Sequence, residues 1–223
     1  MMAPLVHSPR PLALIGGGPV AAEDIEEAIG LTAGFVAADG GVAHLTGRAI
    51  RPLAVIGDMD SADADAVAAE GNPVHRIDEQ DSTDLEKCLR AIEAPLLLGV
   101  GFLGGRADHN LAAMNALVRH AGPPLVLLGG EDICFHCRDT LALDLAAGTR
   151  VSIFPMAPVT GCLSEGLRWN IEGLAMRPDG QIGTSNMALG GAMRMGFDGP
   201  GALVILPRHL LARVTEVLLQ GAP

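Results

Sequence analysis

The chain has 223 residues, of which 49% are hydrophobic and 18% charged, with a formal net charge of -11. That length can bury a substantial core, as one large domain or two small ones, and the composition excludes a disordered chain. The acidic balance argues against a nucleic-acid backbone or an anionic membrane surface as partner, so any phosphate chemistry must draw on a metal or on a few of the 15 Lys and Arg.

The N-terminus has no charged start followed by a sustained apolar core, so no signal peptide is expected. No apolar stretch approaches the ~18 residues needed to span a bilayer. Cys88, Cys134, Cys137 and Cys162 are too scattered for a disulfide framework, and a cytoplasmic location is the expectation.

Pro11 to Gly18 reads as a first strand ending in a glycine turn, followed by a helix over Ala21–Ile29 that Gly30 closes. Gly16, Gly17 and Gly18 could bring backbone N–H groups against a phosphate or nucleoside, but they do not fit G-x-G-x-x-G, and the chain has no Walker A sequence. Gly34 to Gly41 repeats the pattern: a strand of small residues, then Asp39, then Gly40 and Gly41, with a helical turn expected over Val42–Gly47. By itself this is equally an ordinary strand-to-helix turn.

Leu53 to Ser61 is the organising stretch. An apolar run stops at Gly57, and Asp58 and Asp60 follow where an open α/β sheet places its ligands. Two carboxylates one residue apart can share Mg²⁺, which leaves its other positions to water and phosphates. A solvated turn is the competing explanation. A calcium loop fails, because its Gly and Glu positions fall on Asp63 and Ala69. A phosphatase with Asp58 as nucleophile is nearer, although Ala62 stands where such enzymes carry Thr. Asp60 or Ser61 is expected to cap a helix from Ala62 to Glu70, ended by Gly71 and Pro73.

After a short strand over Pro73–Ile77, Leu85, Cys88, Leu89 and Ile92 recur at helical spacing. Asp81 is the expected cap, with Asp84 completing an acidic capping box. Asp84 and Lys87 form either an ordinary surface pair or a ligand for metal and a cation for phosphate. Pro95 to His109 is the most specific stretch. A buried strand ends in glycines that include Gly104 and Gly105, and Arg106, Asp108 and His109 then arrive together at a helix start. A guanidinium beside exposed N–H groups makes an anion site. Asp108 is expected to cap this helix, with Leu111, Met114, Leu117 and Val118 on its buried face.

Leu125 to Gly130 looks like the last strand of the α/β region, and a boundary is expected near 130. Beyond it Ile133–Cys137, Thr149–Phe154 and Ala202–Leu206 are short strand candidates separated by turn residues, with no helical period between them, which predicts a β domain. Cys134 and Cys137 have C-x-x-C spacing, but no second pair accompanies them, so buried strand positions explain them better than zinc.

Six motifs in order resemble the thiamine pyrophosphokinase family: Ala38–Gly41, Gly57–Ser61, Asp81–Lys87, Gly104–His109, Gly166–Trp169 and Thr184–Asn186. The resemblance implies an N-terminal α/β domain (1–130, a Rossmann-like open sheet with helices) that binds ATP and Mg²⁺. It also implies a C-terminal all-β sandwich (131–223) for thiamine binding and dimerisation, in a homodimer. The implied reaction moves the terminal pyrophosphate of ATP to the hydroxyethyl oxygen of thiamine, giving thiamine diphosphate and AMP. Matched position by position, Asp58, Asp60 and Asp84 are the implied metal and phosphate-site acids, and Lys87 and Arg106 the implied cations. Asp108 and His109 shape the site, and Gly17, Gly18, Asp39, Gly40, Gly41, Ser61, Gly104 and Gly105 lie near the nucleotide. Trp169 is implied to stack on a thiamine ring, and Ser185 and Asn186 to hydrogen-bond its pyrimidine. Val42–Ala43 and Met187 depart from the family's usual residues. A Mg²⁺-dependent phosphatase and a non-catalytic nucleotide or thiamine sensor are the alternatives.

Overall fold

The computed structural model describes residues 4–46, 48–61 and 63–221, arranged as two compact units. One comprises residues up to 116 together with 120–130; the other comprises 117–119 and 131–221.

The first unit begins with β1 (Val6–His7), β2 (Leu12–Ile15), α1 (Ala22–Leu31), β3 (Phe35–Ala38) and a 3₁₀ turn over Asp39–His44. It continues with β4 (Ala54–Gly57), α2 (Ala64–Ala69), β5 (Val74–Arg76), α3 (Asp84–Ala91), β6 (Ile92–Glu93), β7 (Leu97–Val100), α4 (Ala107–Arg119) and β8 (Leu125–Gly129). Its main strands lie parallel in the order β8-β7-β2-β3-β4-β5, while β1 pairs with β6 at one side. Every residue of β2, β3, β4 and β7 is buried, as expected for a parallel sheet covered on both faces. Helix α3 packs on β3 and β4, α1 on β7, and α2 on β5.

Gly30 does not end α1; the helix runs through it to Leu31, and Thr32 is the cap. Helix α2 is capped by Asp63, whose carboxylate accepts from the Asp65 and Ala66 N–H groups, and not by Asp60 or Ser61. Ala62 and Gly47, the expected bounds of two helical segments, lie outside the described residues. Helix α3 is capped by Thr83 in a box with Glu86, not by Asp81 with Asp84. Asp108 sits inside the first turn of α4, behind Arg106 at the cap position, and Leu111 is 62% exposed. The small residues Ala113 and Ala116, with Leu117, form the buried face, where close packing matters more than side-chain size.

The second unit contains β9 (Asp132–Cys137), β10 (Thr140–Leu145), β11 (Arg150–Pro155), β12 (Val159–Glu165), β13 (Ala175–Met176), β14 (Gly183–Met187), β15 (Gly191–Phe197), β16 (Ala202–Pro207) and α5 (Leu211–Gln220). Two antiparallel sets form, β14-β11-β16-β9 and β10-β15-β12-β13. Strand β10 alternates exposed and buried residues, so one of its faces is solvated. Cys134 and Cys137 are buried in β9, and burial pushes both thiols up to about 12. The all-β expectation needs correction, because α5 buries Leu211 and Val214 at helical spacing. No helix among the described residues is long and apolar enough to cross a membrane.

Two glycines test these packing arguments in opposite directions. Gly30 has open space where a Cβ would go, so Gly30→Ala should stabilise the protein by about 0.5 kcal/mol through helix propensity. A Cβ on Gly161 would collide with the Ile171 carbonyl, so Gly161→Ala should cost about 1–3 kcal/mol. Urea unfolding of both variants measures the two signs.

Candidate active site

The strand order reverses between β2 and β7, and ligands of open parallel sheets collect outside the carboxyl ends of strands at such a point. Here the two strand ends are tied together: the Gly16 N–H donates to Val100 O at 2.8 Å and the Gly18 N–H to Gly101 O at 2.9 Å. The approach requires glycine, since a Cβ on Gly16 or Gly18 would lie 2.6 Å from the Gly101 carbonyl oxygen, and Gly101 takes φ +77°. A cleft of about 670 Å³ opens beside this junction, lined by Gly16, Gly17, Gly18, Asp39, Gly40, Asp58, Ser61, Asp84, Lys87, Gly105, Arg106 and His109, among others. Gly41 and Gly104 do not line it. Gly41 packs against the Ile15 carbonyl, and Gly104 takes φ +89° in the loop before Arg106.

The acids gather at the ends of β3 and β4 and the start of α3. Lys87 is 1% exposed, and its Nζ donates to Asp58 Oδ2 at 2.8 Å and to Asp84 Oδ1 at 3.1 Å. Burial alone would lower the Lys87 pKa, but the two carboxylates outweigh it and hold the ammonium above its usual range. Lys87 in turn holds Asp58 below the usual carboxylate range. Gln80 donates to the same Asp58 oxygen at 3.0 Å, and the Asp60 N–H donates to Asp58 Oδ1 at 3.3 Å. Gly57 makes the crowding possible, for a Cβ there would lie 2.7 Å from the Asp39 Cβ and 3.2 Å from Asp84 Oδ1.

Asp39 is the least comfortable member. It is 2% exposed and adopts φ +43°. Oδ2 accepts from the Ser61 N–H at 3.1 Å, whereas Oδ1 is buried with no hydrogen-bond partner among the described residues. Burial raises its pKa, with the neighbouring acids adding to the effect and Ser61 opposing it. Ligand oxygens of Asp39, Asp58 and Asp60 lie within 4.8 Å of one another. Among the described residues, the trio at this spacing contains Asp39 and not Asp84. A buried carboxylate oxygen without a donor, inside a set of hard oxygen ligands, suits a divalent cation such as Mg²⁺.

Arg106 reaches the cleft from the cap position of α4, and its guanidinium grips Asp108 through Nε at 3.1 Å and one terminal nitrogen at 2.6 Å. Both side chains are exposed, so the pair is weak and readily reopened by a competing anion. Sequence reading missed two contacts here. Gln80 lies inside the Asp78–Lys87 stretch but carries no charge to draw attention. His44 ends the 3₁₀ turn, and its Nε2 lies 2.9 Å from the Gly18 carbonyl.

In the other unit, Trp169 is 53% exposed, which rules out a core role, and the Arg168 Cζ lies 5.1 Å from the centre of its ring. Ser185 adopts φ +62° at the bulge between β11 and β14, its N–H donating to Ser152 Oγ at 3.0 Å. Asn186 is buried and bonds the backbone of Trp169.

The profile of the thiamin pyrophosphokinase catalytic domain matches residues 29–127, and that of the thiamin pyrophosphokinase vitamin B1 binding domain matches residues 138–199. The chain belongs to the thiamin pyrophosphokinase family. It is similar to thiamine pyrophosphokinase 1 of Oryza sativa subsp. japonica, with 31% identity over 156 residues, covering 61% of this chain and 59% of the relative. Thiamine pyrophosphokinase 2 of Arabidopsis thaliana is 32% identical over 160 residues, covering 61% and 58%. The chain thus spans less than two thirds of the length of these curated relatives. The fold is that of the thiamin pyrophosphokinase from Candida albicans (TM-score 0.76, 15% identity, 92% of this chain and 93% of that one). The enzyme from Geobacillus thermodenitrificans is also similar (TM-score 0.71, 21% identity, 88% and 96%).

The ammonium at the centre gives a direct test. Lys87→Ala leaves Asp58 and Asp84 facing each other. Without divalent cation it should cost about 3 kcal/mol, the low end of the buried-pair range because Asp84 keeps contact with water. Because Lys87 depresses the Asp58 pKa, that pair's contribution is complete above the ordinary carboxylate range and is lost as pH falls through the lower folded-state value. The variant should therefore show a shallower acid-side loss. Urea titrations in chelator across that pH range measure both effects.

Proposed function

We propose that the protein transfers the terminal pyrophosphate of ATP to the hydroxyethyl oxygen of thiamine, yielding thiamine diphosphate and AMP. The observation that carries this reading is the Asp39, Asp58, Asp60, Asp84 and Lys87 cluster beside a glycine-lined cleft, in a chain of the thiamin pyrophosphokinase family. Four carboxylates facing one ammonium would repel a polyphosphate, so the cluster makes sense as a holder of cations.

The N-terminal unit (1–130) is read as a Rossmann-like ATP and Mg²⁺ domain, supported by its reversing strand order. The C-terminal unit (131–223) is read as a β-sandwich that binds thiamine and dimerises, supported by its two antiparallel sets. Asp39, Asp58 and Asp60 would hold Mg²⁺, with Asp84 beside them, and the ion would neutralise charge on the polyphosphate oxygens. The loops carrying Gly16–Gly18 and Gly40 allow close approach of the nucleotide. The thiamine hydroxyl oxygen attacks the β-phosphorus, the bond from that phosphorus to the α–β bridging oxygen breaks, and AMP leaves with that oxygen. A carboxylate of the cluster accepts the hydroxyl proton. Arg106 exchanges Asp108 for phosphoryl oxygens, and His109 borders the same cleft. Trp169 offers a stacking face to thiamine. The four free thiols support a cytoplasmic location.

Incubation with ATP, Mg²⁺ and thiamine should form AMP only when thiamine is present. Phosphate release without an acceptor would instead indicate a phosphatase, and binding without turnover a sensor. Asp60→Asn and Arg106→Ala should each lower turnover about 100-fold or more while leaving the circular dichroism spectrum unchanged.

In a homodimer whose sites combine Trp169 of one subunit with the acid cluster of its partner, Asp60→Asn and Trp169→Ala subunits should complement each other. Each mixed dimer keeps one intact site, so subunit exchange should restore about a quarter of wild-type activity. Mixed dimers that form but stay inactive would reject the shared site.

A further inference from the structure

We propose that Asn186 is a positioning residue that fixes the Trp169 backbone, so that the indole it carries serves as a one-faced stacking platform, and does not itself hydrogen-bond the substrate. This rests on the reading that Trp169 receives a thiamine ring. Gly166 to Trp169 runs antiparallel to the segment that follows β14. Leu167 bridges Ala188, the Leu189 N–H donates to Gly166 O at 2.8 Å, and the Arg168 N–H donates to Met187 O at 2.8 Å. At Trp169 the Asn186 side chain takes over from the backbone. Its Oδ1 accepts from the Trp169 N–H at 3.1 Å, and its Nδ2 donates to Trp169 O at 2.7 Å.

An Asn amide offers two acceptor positions and two donor hydrogens. The Met187 N–H, at 2.8 Å, takes the second position on Oδ1, so both acceptor positions are used internally. The amide orientation is set by its partners, since two backbone N–H groups can only donate and the Trp169 carbonyl can only accept. With Asn186 4% exposed, little of it is left for a ligand to touch. Trp169 therefore has a fixed backbone in a residue that is 53% exposed. Arg168 covers one face, its Cζ 5.1 Å from the ring centre, so a flat ligand would take the other. A platform held before the ligand arrives avoids the ordering cost on binding.

Trp169 is the single tryptophan and the chain has no tyrosine, so intrinsic fluorescence reports this residue alone. In the ligand-free protein, Asn186→Ala should lower the fluorescence anisotropy and increase quenching by acrylamide. It should raise the KM for thiamine about tenfold, the equivalent of roughly 1.4 kcal/mol, with kcat and the KM for ATP nearly unchanged. Asn186→Asp keeps both accepted bonds but sets a carboxylate oxygen against the Trp169 carbonyl, so it should also lower the anisotropy and raise the quenching; it serves as the test if the alanine variant does not fold. Native anisotropy and quenching in the free variant, combined with a collapse of thiamine affinity, would mean that Asn186 contacts the substrate and would overturn the proposal. Absence of any fluorescence change when thiamine is added to the wild type would reject the stacking role of Trp169, while the free-protein measurements would still decide whether the clamp exists.

Discussion

The buried ammonium of Lys87 is the constraint on which the candidate site depends. An isolated charge at that depth would cost several kcal/mol, and what makes it tolerable is the approach of Asp58 from the end of β4 and Asp84 from the first turn of α3. They meet because α3 packs across β3 and β4 and because Gly57 has no side chain to crowd Asp84, whose Oδ1 would lie 3.2 Å from a Cβ there. The same residue that lets the strand end also lets Asp39 press in from β3. The cluster is thus a product of sheet order and one missing Cβ, more than of any single sequence motif.

Around that centre the electrostatics are unbalanced by design of the local fold. Lys87 satisfies one oxygen of Asp58 and one of Asp84, yet Asp39 keeps a buried oxygen without a donor among the described residues and a backbone angle that non-glycine residues rarely adopt. Strain and an unmet acceptor in one residue, within ligand distance of two further acids, are costs that a bound cation would offset. Arg106 sits at the opposite extreme: exposed, paired with an equally exposed Asp108, and free to exchange partners at little cost. The cleft therefore combines a rigid acidic floor with a mobile cationic rim.

Much of this was legible in the sequence because strand ends announce themselves. Apolar runs that stop at glycine placed Asp39, Asp58 and Asp60 beside a sheet edge, and helical spacing placed Lys87 beside Asp84. The capping residues were not legible. Several Ser, Thr and Asp side chains compete within two or three positions, and only backbone angles select Asp63 and Thr83 among them. Gln80 was invisible for a related reason: a neutral amide in a polar loop carries no periodicity and no charge. Helix α5 was not legible either, because only Leu211 and Val214 among its apolar residues are buried, too few to stand out beyond the last short strand.

Asn186 shows how far a motif can point to a place without giving its role. The family resemblance implies that Ser185 and Asn186 both hydrogen-bond the pyrimidine of thiamine. In the structure the two polar residues diverge. Ser185 turns outward at a positive φ, enforced by the bulge opposite Ser152, while Asn186 turns inward and uses both acceptor positions and a donor on the backbone of its own unit. Alternation along a strand puts neighbouring side chains on opposite faces, so two adjacent polar residues cannot both line one pocket without such an irregularity. If one of the pair meets a ligand, the geometry favours Ser185, and the burial of Asn186 is what keeps the exposed Trp169 in place.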